Sequence, residues 1–185
     1  MSNQDLEEEK IIIRNYRTSD YEATLQILRQ LHDKYDIGLN EERWRKSSGL
    51  RQFKPNLKRI TLIAEMKETG EVIGMGMIEA VKNNLGQYVG YLDNWATKKE
   101  FIGKNIGRIL AERAIQLLKS WGCDSIRINL SYGVPDKLLN VFGQLGFNPK
   151  LIVLEKKIEK DKKFCNFKHI WKTKTSKKRY ERLKD

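Results

Sequence analysis

The sequence predicts an α/β domain: a mixed, largely antiparallel sheet flanked by helices. Short runs rich in β-branched and apolar residues recur along the chain, and neighbouring ones are joined by hairpin-type turns. Between two of these runs, in the middle of the chain, lies one long amphipathic segment. The order reads β-α-α-β-β-β-α-β-α-β-β, antiparallel hairpins around a central strand–helix–strand unit.

Each element has a local cause. "IIIRNYR" (11–17) is β-branched and reads as the first strand. "TSDYEATLQILRQLHDKYD" starts a helix with Ser19 or Asp20 as its cap, and Leu25, Leu28, Leu31 and Tyr35 follow at helical spacing. "LNEERWRKSSGLRQF" (39–53) reads as a second short helix, ending near Gly49 or before Pro55. "RITLIAEM" (59–66) and "EVIGMGMIEAV" (71–81) are strands joined by "KETG". "QYVGYLDNWAT" (87–97) is a further strand, entered through "KNNLG".

A helix from about Asn105 to Trp121 carries Ile106, Ile109, Leu110, Ala114, Leu117, Leu118 and Trp121 as its apolar stripe, with Gly122 as its stop. "DSIRINLSY" (124–132) alternates at Ile126, Ile128 and Leu130 as a strand with one buried face, and "PDKLLNVFGQLGF" is a helix opened by Pro135 and closed at Gly146. "KLIVLEKKI" (150–158) and "FCNFKHIW" (164–171) read as a last hairpin, followed by a charged tail. The domain limits that follow are an acidic extension at 1–10, one domain at 11–172 and a basic tail at 173–185.

Composition narrows the function classes. No apolar stretch approaches the ~20 residues of a membrane span, and the polar, acidic "MSNQDLEEEK" is unlike a signal peptide, so a cytoplasmic location is expected. Cys123 and Cys165 form no CxxC, and His32 and His169 have no ligand partners nearby, so neither a disulfide framework nor a metal site is expected. The net charge is +12, and residues 160–185 alone hold eleven Lys/Arg against three Asp/Glu. Such a segment attracts polyanions such as RNA, with Trp171 and Tyr180 set among its lysines, or is simply a solvated tail.

The segment "FIGKNIGRIL" (101–110) sits where the central strand gives way to the long helix. Amides at a helix N-terminus lack intrahelical partners and carry partial positive charge, so a phosphate is stabilised there. Gly103 and Gly107 permit positive φ and close approach, Asn105 tolerates the left-handed region, and Lys104 and Arg108 add charge-assisted donors. The same GxxxG spacing also suits close helix packing. No GxxxxGK[ST] is present. "GMGMIE" (74–79) lacks the third glycine of a dinucleotide fingerprint and lies inside a strand, so its glycines mark a bulge or close backbone packing.

The stretch "YLDNWATKKEFIGKNIGRILAERAIQLLKSWGCDSIRINL" (91–130), followed by "LLNVFGQLGF" (138–147), resembles the GNAT superfamily of N-acetyltransferases. Those proteins carry a fourth strand, an R/Q-x-x-G-x-G/A turn, a third helix, a fifth strand and a fourth helix ending in "LGF". The resemblance implies that acetyl-CoA or another acyl-CoA is the cosubstrate, without a metal. It implies that the pyrophosphate rests on the loop Ile102, Gly103, Lys104, Asn105, Ile106, Gly107 and Arg108. It also implies that the pantetheine arm lies along Trp95, Ala96 and Thr97 of the fourth strand, where the fourth and fifth strands splay apart. This sequence departs from the pattern at Ile102, where Arg or Gln is usual, and at Asn105, where glycine is usual. Phe142 stands where many members place a proton-donating tyrosine, and Pro135 replaces an asparagine.

Transfer to an amine needs a base, because an amine is mostly protonated at neutral pH. Asp93 is the candidate base on the fourth strand, in the same alternation as Tyr91 and Trp95; Tyr91 lines up with a family base position. A backbone N–H near Trp95 or Ala96 is placed to polarise the thioester carbonyl. Tyr132, after the fifth strand, is the candidate acid for the thiolate. Arg43, Trp44, Arg45, Arg51 and Lys54 form a basic, aromatic rim for the acceptor. The expected activity is N-acetyl transfer to an amine of a small molecule or protein in a ternary complex. The alternative is a catalytically weak or inactive acyl-CoA-binding module of the same fold. Acceptor identity, acyl preference and a homodimeric state are left open.

Overall fold

The computed structural model describes residues 9–35, 39–46, 57–130 and 136–150. The chain divides into units Met1–Phe147 and Asn148–Asp185, and the described helices and strands all belong to the first. The expected last hairpin beyond Lys150, the tail, Pro135 and Tyr132 lie outside the described residues, as does the proposed domain limit at 172/173.

The elements run β1 (Ile11–Asn15), a 3-10 turn (Thr18–Asp20), α1 (Tyr21–Tyr35), α2 (Glu41–Lys46), β2 (Arg59–Met66), β3 (Val72–Lys82) and β4 (Tyr88–Thr97). A second 3-10 turn (Lys99–Phe101) leads to α3 (Ile106–Ser120), β5 (Cys123–Ile128) and α4 (Asp136–Gln144). The strands form one sheet in the order β1-β2-β3-β4-β5, antiparallel except for the parallel β4–β5 pair. A parallel pair needs a long crossover, and α3 supplies it.

The turns follow their residues. In "KETG", Gly70 takes φ +69° and its amide donates to Met66 O. In "KNNLG", Asn83 Oδ1 accepts from the amides of Leu85 and Gln87. Gly122 takes φ +77° just past α3, and its amide donates to Lys119 O.

Two apolar layers enclose the sheet. On one face Ile106, Leu110, Ala114 and Leu118 of α3 pack with Ile60, Leu62, Ile78, Ala80 and Leu92, together with Phe142 of α4. On the other, Leu25, Ile27 and Leu28 of α1 and Trp44 of α2 pack with Ile63, Met75 and Ala96. Trp44 is therefore core; Arg43 and Arg45 beside it are exposed, and Arg51 and Lys54 lie outside the described residues.

The glycines of "GMGM" seat the α3 layer. A Cβ on Gly74 would lie 3.0 Å from Ile106 Cγ2, and one on Gly76 would lie 2.3 Å from two ring carbons of Trp95. Across the sheet, Gly90 leaves room for Leu118 in the same way.

Two expectations need correction. Asp20 does not cap α1 with its side chain. Its carboxylate accepts from Arg14 (2.7 and 2.8 Å) and from the Arg17 amide (2.7 Å), and these three bonds leave it no freedom to turn to the helix amides. β5 stops at Ile128, and Ile126 and Ile128 are only half-buried. Sequence alternation continues to Leu130, but among the described residues the pairing with β4 ends at Leu92/Ile128.

Candidate active site

At the C-terminal end of β4, three local events shape a cleft. The first is a β-bulge. Met75 pairs with Ala96 and Met77 with Asp93, so Asn94 and Trp95 stand opposite Gly76 alone. Asn94 takes the left-handed conformation, φ +50°. The extra residue reverses the alternation expected from sequence. Leu92 lies in the α3 layer, whereas Tyr91 and Asp93 face the other side. Trp95 packs in the α3 layer and Ala96 with α1. Asp93 and Trp95, taken from sequence as one alternation, thus lie on opposite faces.

The second event is the parting of β4 from β5. Their pairing runs from Tyr88/Cys123 to Leu92/Ile128. Beyond it, Asp93 to Thr97 have no partner strand on that side among the described residues. An open strand edge with unpaired backbone groups is a template for an extended ligand.

The third event is the start of α3. Gly103 (φ +88°) and Asn105 (φ +64°) both adopt left-handed backbone, so the asparagine occupies the position that favours glycine. Asn105 makes no side-chain cap, although its carbonyl accepts from the amides of Arg108 and Ile109. The Lys104 amide is used on Phe101 O. The amides of Gly103, Asn105, Ile106 and Gly107 donate to no acceptor among the described residues. These orphan donors sit at the positive end of a helix of 15 residues. Such a cradle fits the oxygens of a diphosphate.

The side chains complete the cradle. Trp95 Nε1 donates to Gly107 O at 3.2 Å, fastening the bulge to α3. A Cβ on Gly107 would meet only Trp95 Nε1 at 3.9 Å and Thr97 Oγ1 at 4.0 Å. The Lys104 ammonium lies 4.9 Å from the centre of the Phe101 ring, and Arg108 Nε donates to Glu112 at 2.9 Å. Both cations are thus engaged locally, and the amides are the open donors. Ile102 is 56 % exposed where a polar side chain was the usual pattern.

Asp93 is half-buried, with Glu79 on the neighbouring strand. Burial first, then the Glu79 charge, hold its carboxyl above the ordinary range, with Arg59 pulling the other way. A raised carboxyl means the fold disfavours its ionised form. Its contribution is present below the ordinary value of 3.8 and is lost as pH rises through the folded value. Asp93→Asn is therefore expected to raise Tm at pH 7, with the gain shrinking toward pH 4. Paired melting curves at the two pH values check the sign.

Phe142 is 5 % exposed and meets Phe147 edge to face, with ring centres 5.5 Å apart. No phenol is present at that point, and the ring belongs to the core. Sequence reading did not single out Arg59, Glu79 or Arg127, which join Tyr91 in one row across the sheet. Their signal was the charged residues interrupting otherwise apolar strands.

A cavity of about 200 Å³ adjoins the turn before α3, lined by Phe101, Lys104 and Ile106 with Lys10, Ile11 and Met66. Another of about 540 Å³ lies on the α1 side, lined by Arg14, Arg17, Asp20, Glu65, Glu71 and Lys98 among others. Arg14 is bound to Asp20 and Glu65, and Lys98 to Glu71. Among the described residues no helix is long and apolar enough to cross a membrane.

Comparison with known proteins agrees with this geometry. Residues 22–147 match the acetyltransferase (GNAT) family. Similar solved structures include an acetyltransferase of Trypanosoma brucei, 18% identical, with a TM-score of 0.64 over 80% of this chain and 99% of that one. Glucosamine-6-phosphate N-acetyltransferase of Arabidopsis thaliana gives the same four values. A transcriptional regulator of Bacillus halodurans is 19% identical, with a TM-score of 0.67 over 80% of this chain and 99% of that one. At such identities the likeness is one of fold. A search of curated proteins finds no match. The family match covers most of the chain and includes the bulged strand, the parted strands and the glycine turn, so the chain belongs to the acetyltransferase (GNAT) family.

Proposed function

We propose that the protein transfers an acetyl group from acetyl-CoA, or another acyl-CoA, to an amine by direct attack in a ternary complex. The observation that carries this proposal is the set of unpartnered amides from Gly103 to Gly107 beside the open edge of β4. The amides would hold the diphosphate. The edge at Trp95, Ala96 and Thr97 would pair with the amide-bearing pantetheine arm as an added strand does. The cosubstrate supplies the thioester.

The chain's own contribution is positioning and proton transfer. Asp93, whose raised proton affinity suits a base, takes the proton of the substrate ammonium. The freed nitrogen forms a bond to the acetyl carbon, the C–S bond breaks, and the thiolate takes a proton from Tyr132 or water. Tyr91 lies on the same face of β4 as Asp93, where it would border the acceptor. Trp95 positions the loop through Gly107.

A second reading, a weak or inactive acyl-CoA-binding module, is favoured by Phe142, whose buried ring brings no acid to the cleft. The two separate experimentally. Acetyl-CoA is expected to raise Tm, with a stabilisation of about 2.7 kcal/mol at a hundredfold excess over Kd. Thiol release with a panel of amines then supports the enzyme, and a shift without thiol release supports the module. No shift at millimolar ligand overturns both.

A further inference from the structure

We propose that the acceptor is an amine that also carries an oxyanionic group, held between Asp93 and Arg127 where β4 and β5 part. This rests on the acetyl-transfer proposal and names the substrate class of that site.

The sheet register places the residues. Arg59, Glu79, Tyr91 and Arg127 stand side by side on β2, β3, β4 and β5. The next row holds Thr61, Met77 and Asp93. Their neighbours in sequence, Ile60, Ile78, Leu92, Ile126 and Ile128, pack into the α3 layer. Alternation therefore turns both rows to the opposite face of the sheet.

The charges on these rows are unequally satisfied. Arg59 Nη2 donates to Glu79 Oε1 at 2.5 Å, so that pair neutralises itself. Arg127 has no hydrogen-bond or ion-pair partner among the described residues, and it is half-buried. Asp93 is also half-buried, and its carboxylate makes no hydrogen bond or ion pair among the described residues. Burying a charge is costly unless a partner meets it. The two unmet charges flank one point. The last β4–β5 pair is Leu92/Ile128, with Asp93 the next residue along β4 and Arg127 the residue just before it on β5.

One anion and one cation at the mouth of the cleft complement a zwitterion. A bare amine would satisfy Asp93 and leave Arg127 unmet; a polycation would be repelled by Arg127. The guanidinium fork matches carboxylate and phosphate alike, so the shared chemistry is an oxyanion on the same small molecule as the amine. Arg127 acts on specificity, and Asp93 keeps its role as proton acceptor.

The test uses the full chain, acetyl-CoA and matched amines: β-alanine against propylamine for the carboxylate, phosphoethanolamine against ethanolamine for the phosphate. The expected result is a kcat/KM for thiol release about tenfold or more higher for at least one anionic member than for its neutral partner, as a charge-assisted contact gives. Arg127→Ala should collapse that ratio toward one through KM, and Arg127→Lys should restore part of it. The acetyl-CoA-induced rise in Tm should persist in both variants, which separates loss of recognition from loss of folding. If the wild-type protein shows that rise but accepts the neutral amines as well as the anionic ones, or accepts no anionic amine, the proposal is overturned. A ratio unmoved by Arg127→Ala overturns it too. If acetyl-CoA gives no rise in the wild type, the acetyl-transfer proposal itself has failed.

Discussion

Replacing Asp20 with alanine is expected to lower stability by about 3–5 kcal/mol, a fall in Tm of roughly 10 °C for a domain of this size. Asp20 is 4 % exposed and closes a network with the half-buried Arg14 and Glu65. Arg14 Nη1 and Nη2 donate to its two oxygens at 2.7 and 2.8 Å, and the Arg17 amide donates at 2.7 Å. Arg14 also donates to Glu65 Oε2 from Nε at 2.7 Å, so one guanidinium joins β1, β2 and the start of α1. Without Asp20 the half-buried guanidinium keeps only part of its partners, and removing one side of a pair whose carboxylate is buried is far costlier than losing a surface bridge.

The pH dependence has a definite sign. Burial alone would raise the Asp20 carboxyl, but the bonds from Arg14 and the Arg17 amide outweigh it and hold the carboxyl below its ordinary value of 3.8. The stability it contributes is present above that value and is lost as pH falls through the lower, folded value. Chemical denaturation at pH 7 should show the full deficit of the variant, and the deficit should shrink below pH 3.8. A deficit under about 1 kcal/mol at pH 7 would instead match an exposed pair.

Gly107→Ala should weaken acetyl-CoA binding by about tenfold or more, the worth of a lost charge-assisted hydrogen bond. Stability of the free protein should hold or rise slightly. The other glycines near the cleft have reasons within the fold. Gly103 needs its φ of +88°, and added atoms on Gly74 or Gly76 would strike Ile106 or Trp95. Neither reason applies at Gly107, which lies in α3 with nothing nearer than 3.9 Å to an added Cβ. Alanine in a helix is better than glycine by about 0.5–1 kcal/mol. What a methyl at 107 would obstruct is close approach to the amides of the first turn, which are unused within the described residues.

Much of this was legible in the sequence. The α3 stripe and its Gly122 stop, and the β2–β3 pair bounded by "KETG", have strong periods and strong punctuation, and they lie within a residue or two of where they were expected. The left-handed turn before α3 was legible because Gly103 and Asn105 are residue types that tolerate that backbone. The bulge was not. Counting by twos from Asp93 to Trp95 assumes that no residue is inserted, and only Asn94 hinted otherwise. The end of β5 at Ile128 was likewise hidden, since periodicity records which face is buried and not where a partner strand leaves. Arg59, Glu79 and Arg127 become neighbours through register, a long-range property that no local pattern carries. Asp20 looked like a helix cap because aspartate is common there; its use by Arg14 depends on a contact across the fold.

The most direct test of the central claim is calorimetric titration of acetyl-CoA into the wild-type protein and Gly107→Ala, with melting curves of both free proteins. The expected result is one saturable site in the wild type, affinity about tenfold or more weaker in the variant, and a free-protein Tm that is equal or higher in the variant. Equal affinity in the two proteins, or no binding to the wild type at millimolar ligand, would contradict the assignment of the α3 amides as the coenzyme A cradle.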